Sequence, residues 1–206
     1  MDVIDVFKYL CEQIHTTVVG SIDSNCNPVT CAIDILDYDR NGLYFLTAKG
    51  KDFYKRLSLN PNVSLTGIKG NSTLSSIAIS VQGEVKEIGK EKLKDLLAKN
   101  RYMYDIYPTE QSQAALTVFC LYTGIVEWFD LSKKPIERFS FSFVKADKPN
   151  KGYYVTEHCI QCEKCISVCP QNCIKISNGK ALINRENCLF CGNCANVCPA
   201  RAIMKE

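Results

Sequence analysis

Eight cysteines near the C-terminus constrain this chain more than any other feature. Cys159, Cys162, Cys165 and Cys169 precede Pro170, and Cys188, Cys191, Cys194 and Cys198 precede Pro199. Both runs read Cys-x2-Cys-x2-Cys-x3-Cys-Pro, and each cysteine recurs 29 residues later. Thiolates at this density are metal ligands, and soft sulfur donors suit zinc and iron–sulfur centres. Structural zinc sites usually pair two Cys-x2-Cys units across a longer gap. Here three cysteines follow one another at two-residue gaps, so that one tight turn can present three sulfurs to different metals of a larger cuboid. Apolar positions recur as well: Ile160, Ile166 and Val168 match Leu189, Ala195 and Val197. The proline after each fourth cysteine turns the chain where a helix could not continue.

The runs resemble the ligand pattern of two-cluster bacterial ferredoxins, over about 55 residues, the whole length of such a domain. That resemblance implies two [4Fe–4S] clusters, with the fourth cysteine of each run crossing to the other cluster. Cys159, Cys162, Cys165 and Cys198 then hold one cluster, and Cys188, Cys191, Cys194 and Cys169 the other. Ile174–Ile176 and Ala181–Ile183 flank Ser177-Asn178-Gly179-Lys180, a hairpin signal. Tyr153–Val155 and Ala202–Met204 supply a second strand pair. The core of so short a segment is small, so the clusters themselves act as its staples. Cys173 is a ninth cysteine whose counterpart one repeat later is Ala202, and it is expected to be a small buried residue beside a cluster. His158 adjoins Cys159 and is expected to tune or shield it.

With 206 residues, the chain has room for a medium domain before this small one. No apolar stretch approaches the roughly 20 residues of a membrane span. The start, Met1-Asp2-Val3-Ile4-Asp5, lacks a signal-peptide pattern. A cytoplasmic protein is expected, with Cys11, Cys26, Cys31 and Cys120 needing no partner in a reducing compartment. Residues 1–150 carry 18 basic and 18 acidic side chains, and 151–206 carry seven and four, so the formal excess of +3 falls on the cysteine-rich segment. Eight thiolates more than offset it. With no basic stripe and no recognition motif, nucleic-acid binding is not expected.

Residues 1–144 read as mainly β with a few helices. Val3/Ile4, Phe7, Leu10/Cys11 and Ile14 recur at helical spacing, giving a helix over 2–14 opened by Asp2 and ended by His15. Strands follow at Thr16–Ile22, from Val29 to Leu36, at Leu43–Thr47, from Ser76 to Val85 and from Val118 to Phe129, with a short one at Phe139–Phe143. A helix is placed at 90–100 by Leu93, Leu96 and Leu97. Long strands with turns at short intervals argue for a barrel, whose closure removes exposed edges. Residues 145–152 are polar, with Pro and Gly, and read as a linker between a 1–144 domain and a 153–206 domain. The stretch Leu43–Phe53 runs off a strand into a helix start, where unpaired amides meet Lys49 and Lys51. Such a turn is either a phosphate site or a solvated surface turn.

This order of elements, with Leu57, Asn60, Pro61 and Val63 in a Leu-x-x-Asn-Pro-x-Val motif, looks like the pyridoxamine 5'-phosphate oxidase-like split barrel. The resemblance covers about residues 1–144 and implies FMN held at the interface of a homodimer. By position it places Thr30, Cys31 and Ala32 beside the flavin and Thr47, Lys49 and Lys51 at its phosphate. Many relatives carry a basic residue near Cys31, and this chain departs from them there. Trp128 lies on a barrel strand and is expected in the core. The expected architecture is an FMN-binding split barrel followed by a ferredoxin-like 2[4Fe–4S] domain. Such a pairing suits an anaerobe, because oxygen attacks exposed clusters. Ferredoxin clusters pass single electrons and a flavin can take one or two. The chain is therefore expected to be an oxidoreductase that couples clusters to FMN and reduces a small oxidised substrate. The competing expectation is an electron carrier that exchanges electrons only with partner redox proteins. No catalytic acid is named by the sequence, in which His15 and His158 are the only histidines.

Overall fold

The computed structural model describes residues 1–144 and 152–206. It divides into two compact units. The first takes Met1–Ser72, Ser76–Trp128 and the end of a strand from Ser140; the second takes Thr73–Ser75, Phe129–Phe139 and the C-terminal segment. The linker expected at 145–152 lies, apart from Gly152, outside the described residues.

The first unit opens with helix α1 (Val3–Tyr9), started by a capping box in which Asp2 and Asp5 each accept the other's backbone N–H. The expected helix over 2–14 changes character part-way: Leu10–Ile14 is a π-helical turn ending at His15, whose φ is +66°. Val6, Phe7 and Leu10 point into the core. The strands are β1 (Thr16–Ile22), β2 (Pro28–Asp34), β3 (Asp37–Asp39), β4 (Gly42–Ala48), β5 (Asn62–Lys69), β6 (Ile77–Gly89), β7 (Leu116–Asp130) and β8 (Glu137–Phe143). Between them lie α2 (Asp52–Leu59), α3 (Leu93–Lys99), α4 (Met103–Ile106) and α5 (Glu110–Gln113).

The sheet order is β2-β1-β5-β6-β7-β4-β3, with β8 on β7. Its two end strands are one stretch of chain, since β2 runs through Ile35 and Leu36 into β3. Ile35 N–H donates to His15 O and Leu36 N–H to Tyr44 O, so this stretch closes the sheet on itself. Closure leaves the two faces chemically distinct. Registered rows such as Cys31–Val19–Leu65–Val81 point inward. The neighbouring row, Ala32–Val18–Thr66–Ser80, points outward. Val19, Leu65 and Val81 are fully buried, whereas Val18 is 53% exposed. Leu93, Leu96, Leu97 and Met103 from α3 and α4 cover a second apolar cluster built on Tyr44, Val118 and Cys120.

In the second unit β9 (Tyr153–Val155) pairs with β12 (Ile203–Lys205), and β10 (Ile174–Ser177) pairs with β11 (Lys180–Ile183), both antiparallel. Two single-turn helices, α6 (Lys164–Ser167) and α7 (Asn193–Asn196), sit 29 residues apart and carry Cys165 and Cys194. Apart from cysteines, its core is little more than Ile174, Ala181, Ile183 and Ile203. The segment Phe129–Phe139 also packs here. Ile136 accepts from Asn187 Nδ2 and donates its N–H to Gln171 Oε1, and the Arg138 guanidinium lies 4.2 Å over the Phe190 ring. Among the described residues no helix is long and apolar enough to cross a membrane.

Candidate functional site

The eight cysteines separate into two cavities. Cys159, Cys162, Cys165 and Cys198 line one, and Cys169, Cys188, Cys191 and Cys194 line the other. Each cavity thus receives three sulfurs from one run and the last sulfur of the other. Among the described residues no three Cys, His, Asp or Glu side chains converge as a single ion requires. Sulfurs spread around a cavity suit a multi-iron core better than tetrahedral zinc, whose ligands all lie about 2.3 Å from one point.

Backbone conformation repeats with the sequence. Left-handed residues occur at Gln161, Glu163 and Asn172, and again 29 residues later at Phe190, Gly192 and Arg201. Side chains disfavour that region by roughly 1–2 kcal/mol per residue, and such outliers gather where the chain must wrap a fixed object. The wrapping also aims amides at sulfur. Ala181 and Ala202 N–H donate to Cys159 and Cys198 Sγ at 3.4 and 3.3 Å, and Cys173 and Phe190 N–H donate to Cys169 and Cys188 Sγ at 3.4 Å. Hydrogen bonds to sulfur are among the levers that set a cluster's potential. Cys173 lines the second cavity and is buried, while Ala202 at the matching place lines the first. His158 is exposed.

In the barrel, α2 follows the turn Lys49-Gly50-Lys51, with Lys51 at its N-cap. Phe53 and Leu57 are buried one helical turn apart and hold the helix on the sheet. This packing brings Arg56 to β1, where its Nε donates to Ser21 Oγ at 2.9 Å. Arg56 and Lys51 both act electrostatically on Cys31; burial raises the Cys31 thiol's pKa, and their positive charges oppose the rise. Cys31 therefore lies within the electrostatic reach of both cations. Lys49 points elsewhere, to Glu87 Oε1 at 3.6 Å. Glu87 also accepts from Thr117 Oγ1 at 2.6 Å and Tyr54 OH at 3.0 Å, and the Thr117 bond above all holds its carboxyl below the usual range. Thr47, across from Thr117, is buried, and its Oγ1 has no partner among the described residues. Thr30 and Ala32 face outward, away from Cys31, because alternate residues of a strand take opposite faces.

Comparison with known proteins bears on each half separately. A model of the 4Fe-4S dicluster domain matches residues 158–202. Residues 158–202 are a 4Fe-4S dicluster domain. No curated protein matches the chain. Among solved structures, a NimC/NimA family protein from Clostridium acetobutylicum is similar at 17% identity and a TM-score of 0.53, over 67% of this chain and 89% of that one. A protein of the same organism related to general stress protein 26 of B. subtilis, of the pyridoxinephosphate oxidase family, is similar at 18% and 0.53, over 68% and 92%. A heme binding protein from Mycobacterium smegmatis is similar at 11% and 0.50, over 66% of this chain and 56% of its own length. These likenesses establish the split-barrel fold, and a fold that also serves a heme binder does not name its own cofactor.

The barrel's own residues bear on FMN directly. Thr47 Oγ1 offers a buried, unfilled hydrogen bond, which is costly unless something accepts or donates there. Lys51 at the N-cap of α2 and Arg56 in its last turn offer two cations that both act on Cys31. Donors of these kinds are those a phosphate monoester takes. Arg56 was not among the residues singled out from sequence, and it brings a positive charge to bear on Cys31. A second polar group also escaped the sequence. His15 Nε2 lies 2.9 Å from Tyr102 OH, which donates to Asp34 Oδ2 at 2.7 Å. Burial raises the Asp34 carboxyl's pKa, but bonds from Thr16 and Tyr102 outweigh that and lower it. Trp128 is buried edge-on to Tyr9, with ring centroids 5.0 Å apart.

Proposed function

We propose that the chain is an iron–sulfur flavoprotein oxidoreductase that passes electrons between two [4Fe–4S] clusters and FMN and reduces a small oxidised substrate. The observation that carries this reading is the crossed division of eight cysteines into two similar cavities, each with three sulfurs from one run and one from the other. In this reading Cys159, Cys162, Cys165 and Cys198 bind one cluster and Cys169, Cys188, Cys191 and Cys194 the second. Bound FMN supplies the means to collect single electrons and deliver them in pairs. An external one-electron donor, a reduced redox protein, provides the electrons. Lys51 and Arg56 hold the flavin phosphate, with Thr47 Oγ1 adding a hydrogen bond.

Two copies are proposed to associate through the outward face of β1, β2, β5 and β6. Its central rows, Ala32–Val18–Thr66–Ser80 and Thr30–Gly20–Ser64–Gln82, carry no charged side chain. A reducing cytoplasm suits the thirteen cysteines, none of which is in a disulfide.

Anaerobic purification followed by cofactor analysis tests the reading: about eight irons and one FMN per chain are expected, the iron following from two four-iron clusters. Zinc in place of iron, or a barrel that takes up no flavin, overturns it. Rapid reoxidation of the reduced holoprotein by a class of nitroaromatics or quinones, and not by proteins alone, marks an enzyme rather than a carrier. Arg56→Ala should weaken FMN binding about 10- to 100-fold, the worth of one charge-assisted hydrogen bond to phosphate. Lys49→Ala should cost much less, because that ammonium is turned to Glu87. Titration of flavin-stripped protein with FMN, followed by fluorescence, reads both, and equal losses would sink the assignment of Arg56.

A further inference from the structure

Each set of sulfurs takes backbone amides, from Ala181 and Ala202 in the first cavity and from Cys173 and Phe190 in the second, and among the positions where the two linings differ one places a side-chain donor against a ligand. Where Ala202 lines the first cavity, Cys173 lines the second, and its Sγ lies 3.4 Å from Cys169 Sγ. A second anion there would face the ligand thiolates at close range, which like-charge repulsion disfavours. Cys173 is not a ligand and its thiol has one S–H to give, whereas a ligating Cys169 sulfur 3.4 Å away can only accept.

We propose that Cys173 is a positioning residue that donates its S–H to Cys169 and so raises the reduction potential of the Cys169/Cys188/Cys191/Cys194 cluster above that of its counterpart. The proposal rests on the two-cluster reading above. Reduction adds one electron to a centre that is already anionic, so a donor aimed at a ligand sulfur stabilises the reduced state more than the oxidised one. Ala202, whose side chain has no donor, leaves the other cluster without this contribution. This side chain thereby helps to distinguish the two clusters, and its contribution favours the second of them for the first electron.

The test is a mediated redox titration of the anaerobic holoprotein, followed by electron paramagnetic resonance, with iron counted in every sample. In Cys173→Ala one cluster should show about a tenfold lower reduced-to-oxidised ratio at fixed poise, a downward shift of about 59 mV for a one-electron couple. The other cluster should stay in place, and iron should remain at about eight per chain. Cys173→Ser, which keeps a donor, should retain most of the potential. Ala202→Cys should raise the second signal instead. Equal losses in the Ala and Ser variants, shifts common to both clusters, or no shift in either would overturn the proposal. If Cys173→Ala fails to assemble, the sign of the Ala202→Cys shift decides. Wild-type protein without eight irons would fail the two-cluster reading itself, a separate result.

Discussion

Cys198→Ala should remove about four of the eight irons and with them the cluster wrapped by Cys159, Cys162 and Cys165, 33 to 39 residues away in sequence, as the crossed pattern requires. Paired substitutions sharpen this. Cys162→Ala added to Cys198→Ala should cost nothing more, because both cysteines line the same cavity. Cys191→Ala added to Cys198→Ala should abolish both clusters, because Cys191 lines the other. A run that bound its own cluster would give the reverse pattern, so iron analysis of the two double variants decides between them. Cys162 and Cys191 are both exposed, which keeps packing losses from confusing the result. The structural cost should also be large. The apolar core is small and several left-handed residues need support, whereas structural metal sites contribute on the order of 10 kcal/mol or more to folding. Loss of both clusters should therefore unfold the C-terminal unit, visible as loss of its protected amides in hydrogen exchange.

In the barrel the largest effect is expected where β6 and β7 cross. A Cβ on Gly83 would stand 2.0 Å from Thr123 O, and one on Gly124 would stand 2.2 Å from Gln82 O. Both obstacles are backbone, so neither can swing aside, and the strands would have to part. Gly83→Ala or Gly124→Ala should each cost roughly 3–5 kcal/mol, the upper range for single substitutions. For a unit of this size that lowers the melting temperature by about 10 °C or more. Gly50→Ala is the control. Nothing lies within 4 Å of its added methyl, and its melting temperature should hardly move. Similar melting curves for all three variants would mean that the β6–β7 crossing is not as tight as described.

The cysteine site was legible in the sequence because its determinants are local. Spacing within eleven residues sets which sulfurs share a turn, and the 29-residue repeat of cysteines reappears as a repeat of left-handed backbone. The strands with strict alternation, such as β6, were legible for the same reason, as were the pairs β9–β12 and β10–β11. Strand β5 also alternates, burying Val63, Leu65 and Gly67, and a closer reading of that period would have found it. What stayed hidden depends on distant packing. Arg56 meets Ser21 only because Phe53 and Leu57 seat α2 against the sheet, a contact across 35 residues of sequence. Tyr102 reaches Asp34 across 68. The grouping of Phe129–Phe139 with the C-terminal unit follows from bonds between Ile136 and both Gln171 and Asn187, which no periodicity announces. The change from α to π geometry at Leu10 likewise has no marker in the residues around it.

The exchange of fourth cysteines between the two cavities has a consequence for how such a module could arise. Half of it, as a free peptide, would complete neither centre, yet two identical halves related by a two-fold axis would complete both. Joining them end to end turns a bimolecular assembly into an intramolecular one and releases the halves from being the same. Cys173 against Ala202, Phe190 against Gln161 and Gly192 against Glu163 are the marks of that release.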